Sequence, residues 1–197
     1  MLAMATHSAQ AETLKGVGFG DSLMAGYQLN NGEGFTDQLQ QSLVALGHDI
    51  EIVNAGVSGD TSSGGLSRLD WSVQDGTDFV ILELGANDAL RGISPQITRK
   101  NIEEMIVGLK ARDIDVLLVG MLAPPNMGDD YASAFNPIYP ELAEKYELLL
   151  YPFFLDGVLT EPDKLLSDGI HPNPDGVKTM VEKFLPIIST YLDTETN

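Results

Sequence analysis

The chain has 197 residues, and its 29 acidic against 11 basic side chains give a formal net charge of -18. That length suits a single domain with one sizeable core. The charge repels phosphate backbones and anionic membrane surfaces, which argues against a nucleic-acid partner and reads as a solvated acidic surface. Cysteine is absent, which removes disulfides, thiolate nucleophiles and thiolate metal sites.

Residues 1–11 read MLAMATHSAQA. The small-x-small pattern Ala9-Gln10-Ala11 resembles what precedes a signal-peptidase cut, but the charged and long apolar regions of a full signal are missing. The segment is expected to be a signal-peptide remnant or a disordered N terminus, with 12–197 as one domain. Export to the periplasm or medium is the preferred expectation, and a cytoplasmic location stays open. No apolar run elsewhere is long enough to span a bilayer as a helix, so stable membrane insertion is not expected.

Strand-like runs then recur at Val17-Gly18-Phe19, Ile50 to Val53, Phe79 to Leu84, Val116 to Gly120 and Leu148 to Tyr151. Between them, Phe35, Leu39, Leu43 and Leu46 form one apolar stripe at helical spacing, and Ile102, Met105, Ile106 and Leu109 form another. Alternation of this kind predicts an α/β protein with a parallel sheet covered on both faces. In such sheets the functional loops lie at the carboxyl ends of the strands. Asp21-Ser22 falls there after the first run, Gly56 to Asp60 after the second, and Gly85 to Asp88 after the third. The stretch Ala123 to Gly128 follows the fourth run and reads either as a surface loop or as a wall of a substrate site.

Several common motifs are absent. Gly16-Val17-Gly18-Phe19-Gly20 looks like a dinucleotide loop, yet its third glycine comes one position early. No phosphate-binding G-x-x-x-x-G-K-[ST] or G-x-S-x-G elbow occurs. His7, His48 and His171 are too scattered to pair as metal ligands, so neither a metal site nor a cofactor is expected.

What remains is Gly20-Asp21-Ser22-Leu23 near one end and Asp168-Gly169-Ile170-His171 near the other. A serine hydroxyl attacks an ester only when an imidazole takes its proton and a carboxylate fixes that imidazole's tautomer. Ser22, His171 and Asp168 could fill those roles. Taken singly, each also reads as ordinary turn chemistry: Gly-Asp-Ser as a turn, His171 as a loop cap, Asp168 as a turn cap. Asn54, Asn87 and Asp88 likewise read singly as turn residues at strand ends. Their convergence on successive strand ends favours a hydrolytic site. A serine opening a helix after a buried strand also offers its own backbone amide to a developing oxyanion.

Four ordered blocks carry a family resemblance: GFGDSLMAGYQL around Ser22, NAGVSGDTSSGGLSRLD from Asn54, LELGANDALRGI from Leu82, and DGIHPN from Asp168. The chain resembles the GDSL, or SGNH, hydrolases, and within them the bacterial thioesterase, arylesterase and lysophospholipase group. The resemblance implies a three-layer α/β/α, flavodoxin-like fold. It implies Ser22 as nucleophile, His171 as general base and Asp168 orienting His171. The oxyanion would be held by the backbone amides of Ser22 and Gly59 and by the Asn87 side chain. Asp21 and Asp88 are left with structural roles, and Ala89 to Ser94 resembles a mobile loop that closes over substrate. Met24, Ala123 and Pro124, where the sequence departs from the common pattern, are expected to border the acyl crevice. The implied substrate is a small acyl ester or thioester, with a lysophospholipid or an acetylated carbohydrate as alternatives. The sequence does not indicate an oligomeric state.

Overall fold

Strand β1 (Leu14–Gly20) lies between β2 (Ile50–Gly56) and β3 (Phe79–Glu83), and β4 (Asp115–Val119) and β5 (Leu149–Tyr151) extend the sheet beyond β3. All neighbours pair in parallel. This is a computed structural model, and it describes residues 13–195. The Ala9-Gln10-Ala11 pattern therefore lies outside the described residues.

Helices α1 (Ser22–Ala25) and α2 (Phe35–Ala45) follow β1, and α3 (Ser62–Ser72) follows β2. Helices α4 (Ala86–Leu90) and α5 (Pro95–Lys110) follow β3, α6 (Asp129–Phe135) and α7 (Ile138–Tyr146) follow β4, and α8 (Pro174–Glu195) ends the described chain. One face of the sheet is covered by α2 packed on α8; the other is covered by α3 packed on α5, with α7 beside α5. The expected three-layer α/β/α sandwich is thus present. The strand order reverses between β1 and β3, and in open parallel sheets the crevice at such a reversal is where ligands bind.

The glycines of β1 account for the misleading resemblance to a dinucleotide loop. Gly16, Gly18 and Gly20 share one face of the strand, as alternate residues do. A Cβ on Gly16 would sit 2.2 Å from the Phe79 ring, and one on Gly18 would sit 2.5 Å from Thr36 and 2.7 Å from Met24 Sδ. These glycines admit neighbouring side chains against the strand; they do not cradle a phosphate.

Packing explains the rest of the core. Every residue of β3 is buried, as befits a central strand covered on both faces. Phe35 on α2 meets the edges of Phe154 and Phe184 at centroid distances of 4.8 and 5.5 Å. Ile102, Met105, Ile106 and Leu109 on α5 are all buried, so that stripe lies where its spacing places it. Leu46 does not: α2 ends at Ala45, and Leu46 is 64% exposed at its C-cap. Among the described residues, no helix is long and apolar enough to cross a membrane.

Candidate active site

The chain leaves β1 at Gly20 and turns into α1 through Asp21, whose Oδ1 accepts the Leu23 amide at 3.0 Å and caps the short helix. Ser22 is the first helical residue, so its amide has no partner within the helix. At the other end of the chain, Asp168 organises a tight turn. Its Oδ1 accepts the amides of Ile170 at 2.9 Å and His171 at 3.0 Å, while Gly169 adopts φ 71° between them. The turn is tied down by the Leu166 amide on the His171 carbonyl at 2.7 Å. Asn173 Oδ1 then caps α8 through the Gly176 amide.

These two segments, 149 residues apart in sequence, meet in space. His171 Nε2 lies 2.8 Å from Ser22 Oγ, and His171 Nδ1 lies 2.8 Å from Asp168 Oδ2. The two backbone amides donated to Asp168 pull its carboxyl down to about 2, so it stays ionised through the neutral range. An anion on Nδ1 favours the tautomer with Nδ1 protonated and Nε2 free to accept from the serine. The Tyr27 ring packs 4.5 Å from the imidazole, tilted by 38°.

A crevice of about 200 Å³ opens beside this chain of hydrogen bonds, and Ser22, Gly59 and Asn87 all line it. Leu23, Tyr27, Leu90, Leu155 and Ile170 make up most of its apolar wall. Leu90 and Ile170 are 53% and 45% exposed there, which leaves apolar surface for a ligand to cover. A slightly larger hollow, about 250 Å³, lies at the opposite end of the sheet between Lys110, Asp115 and Thr190; neither a serine nor a histidine lines it.

The loops bearing the crevice are braced by residues that the sequence did not single out. Arg68, buried over the Phe19 ring, donates to the carbonyls of Gly20 and Ala55 and pairs with Asp60 at 2.6 Å. One guanidinium thus joins the ends of β1 and β2 to the turn carrying Gly59. Arg91 donates to the Gly59 carbonyl at 2.8 Å, and Tyr131 Oη donates to the Ile93 carbonyl at 2.7 Å. No local spacing announces these long-range pairs; the only sequence hint was an arginine inside a block rich in glycine and serine.

The remaining expected residues divide. Asp88 is structural as expected: it accepts the Ser62 amide, the Ser62 hydroxyl and the Thr98 hydroxyl, which pins α4 to α3 and α5. Asn54 is a staple between β2 and α1, donating to the Met24 carbonyl and accepting the Gly56 amide. Met24 does not line the crevice; it is fully buried against the β1 glycines. Ala123 and Pro124 are not among the residues lining the crevice either, and the Ala123 amide donates to Asn136 Oδ1 at 2.8 Å. Asp21 caps α1 through Oδ1, and its Oδ2 accepts from Asn87 Nδ2 at 3.0 Å. Among the described residues, no cluster of His, Asp and Glu is suited to hold a metal ion.

A serine hydroxyl at the strand-order reversal, hydrogen-bonded to an imidazole and through it to a carboxylate from the segment between β5 and α8, is the arrangement of a serine-type hydrolase. Residues 19–178 match the GDSL-like lipase/acylhydrolase family, and the chain belongs to it as a carboxylic ester hydrolase of the GDSL/SGNH type. It is 40% identical over 164 residues to an arylesterase of Vibrio mimicus, covering 83% of this chain and 82% of that protein. It is 38% identical over 192 residues to esterase TesA of Pseudomonas aeruginosa, covering 97% of this chain and 94% of the relative. Among solved structures, the esterase EstA from Pseudoalteromonas sp., inhibited by monoethylphosphonate, superposes with a TM-score of 0.85 at 30% identity, covering 92% of this chain and all of that one.

Proposed function

We propose that the protein hydrolyses small aryl and acyl esters, and acyl thioesters, through an acyl-enzyme on Ser22. The observation that carries this reading is the unbroken chain Ser22 Oγ to His171 Nε2 and His171 Nδ1 to Asp168, each link 2.8 Å. His171 takes the Ser22 proton as Oγ attacks the carbonyl carbon, and Asp168 stabilises the resulting imidazolium. The carbonyl oxygen becomes an oxyanion, received by the amides of Ser22 and Gly59 and by the Asn87 side chain. Each well-placed donor is worth about 3 kcal/mol in such a site. The tetrahedral adduct collapses as His171 returns its proton to the leaving alcohol or thiol. Water then enters, His171 takes its proton, and the acid is released with Ser22 restored. No step calls on a cofactor.

The apolar wall formed by Leu90, Ile170 and Tyr27 supports an acyl or aryl group in the crevice. A lysophospholipid or an acetylated sugar would use the same serine and histidine, and substrate turnover separates these alternatives. The test is turnover on graded aryl esters, acyl-CoA thioesters, lysophospholipids and acetylated sugars, combined with a fluorophosphonate and peptide mapping. Labelling is expected on Ser22 alone, because among the described residues it is the serine hydrogen-bonded to an imidazole. An adduct on Ser58, which also lines the crevice, or on Ser167 would refute the assignment.

A further inference from the structure

Two carboxyl groups lie buried behind the proposed oxyanion donors, and the hydrolytic cycle described above uses neither. Asp21 and Glu83 are both completely inaccessible. The Asp21 amide donates to Glu83 Oε2 at 3.1 Å, while Glu83 Oε1 is buried without a partner. The Asp21 charge lies close enough to disfavour a second charge on Glu83. A carboxylate with one oxygen unpaired in an apolar interior is strongly disfavoured, whereas the protonated acid is not. Burial raises Glu83 well above the usual range and raises Asp21 to about 6, with His171 favouring and Asp60 opposing the Asp21 anion. Asp21 has an N–H donor on each oxygen whereas one oxygen of Glu83 has none, so the charge of the pair sits on Asp21 and the proton on Glu83.

The Asp21 anion has two distinct jobs, one for each oxygen. Oδ1 accepts the Leu23 amide at 3.0 Å and Oδ2 accepts Asn87 Nδ2 at 3.0 Å. An ionised carboxylate can only accept, so the nitrogen of the Asn87 amide must face it; the flipped amide would set oxygen against anion. One Asn87 N–H is thereby fixed, and the second is left for the crevice that Asn87 lines. We infer that Asp21 is a positioning residue that orients the Asn87 amide toward the oxyanion, with Glu83 as the uncharged neighbour that leaves Asp21 its charge. This rests on the oxyanion role proposed for Asn87.

Asp21→Asn tests it with almost no change of shape. An amide supplies one acceptor where two are needed; if its oxygen keeps the Leu23 amide, its nitrogen confronts Asn87 donor to donor and turns the Asn87 amide over. The expected result is a roughly 10- to 100-fold fall in kcat with KM within about twofold, less than the 10²- to 10³-fold loss expected when the donor itself is removed. In an Asn87→Ala background the same substitution should cost nothing further, since the group through which Asp21 acts is gone. Unchanged kcat in Asp21→Asn, or an equal loss in both backgrounds, overturns the inference while leaving the oxyanion reading intact. Unchanged kcat in Asn87→Ala alone overturns the oxyanion reading instead. If Asp21→Asn does not fold, the wild-type side-chain amide of Asn87 gives the answer by nuclear magnetic resonance. At pH 7.5 one of its protons should exchange more slowly than an exposed asparagine amide; free exchange of both protons would refute the hydrogen bond to Asp21.

Discussion

Asp168 uses both of its carboxylate oxygens, one on the amides of Ile170 and His171 and the other on the His171 ring. The division has a kinetic consequence. In Asp168→Asn the side-chain oxygen keeps the turn, so an NH2 group faces Nδ1 and forces the tautomer whose Nε2 carries hydrogen. Nε2 can then no longer accept the Ser22 proton, and kcat should fall by roughly 10³ to 10⁴ while circular dichroism stays unchanged. Near-normal turnover in that variant would refute the role of Asp168 as the group that sets the tautomer. Because the two amides hold Asp168 at about 2, its protonation should leave no limb in the kcat/KM profile above pH 4. At this scale the sequence was legible where chemistry is local: D-G-I-H is at once a turn and an acid-imidazole pair. It was not legible where a role depends on a distant partner, as with Tyr27 on His171, Arg91 on Gly59 and Asp21 on Asn87.

At the level of elements, all five strands lie where the apolar runs put them, yet β1 and β2 extend beyond those runs. The extensions are Leu14, Lys15 and Gly16 before Val17, Gly20 after Phe19, and Asn54-Ala55-Gly56 after Val53. Glycine and asparagine read as turn formers, and here tertiary packing overrides that preference. Helix α3 carries no clean stripe, because Ser62-Ser63-Gly64-Gly65 dilutes the period. Its Gly65 is required by close packing, since a Cβ there would lie 2.2 Å from Leu84. The crevice wall follows from the same elements. Leu90 ends α4 and Ile170 sits in the histidine turn, and both present exposed apolar surface to the crevice. Leu90→Ala should weaken long acyl esters relative to acetyl esters, by about 1 to 3 kcal/mol in kcat/KM for the chain that loses contact. A chain-length profile superimposable on that of the wild type would place the acyl group elsewhere. The Ala123-Pro124 segment, expected as a wall because it follows a strand, is tied to Asn136 through the Ala123 amide and is not part of the crevice lining.

The molecule as a whole carries its negative charge outside and two raised carboxyl groups inside, and both affect stability in the same direction. For Asp21 the unfolded value is 3.8 and the folded value about 6. Between them the unfolded chain has released a proton that the native protein still holds. The native state therefore binds more protons, and stability falls as pH rises through that window. The span corresponds to about 3 kcal/mol at most, and Glu83, also raised, adds a loss of the same sign. Asp168 acts oppositely but at lower pH; its contribution is present above 3.8 and disappears only as pH falls toward about 2. Surface repulsion also grows as pH climbs from the isoelectric point near 4.2 toward the charge of -18 at pH 7. Stability should therefore peak at about pH 4, acid of the range common to globular proteins, and decline toward pH 8. Denaturant unfolding at pH 5 and pH 8, each with and without added sodium chloride, separates the two contributions. Salt should restore part of the loss at pH 8 by screening the surface, while the share due to the buried pair should persist in salt and shrink in Asp21→Asn. If Asp21→Asn and wild type lose the same stability between pH 5 and pH 8, then Asp21 does not hold a proton in the folded protein at pH 5, and the decline belongs to the surface charge.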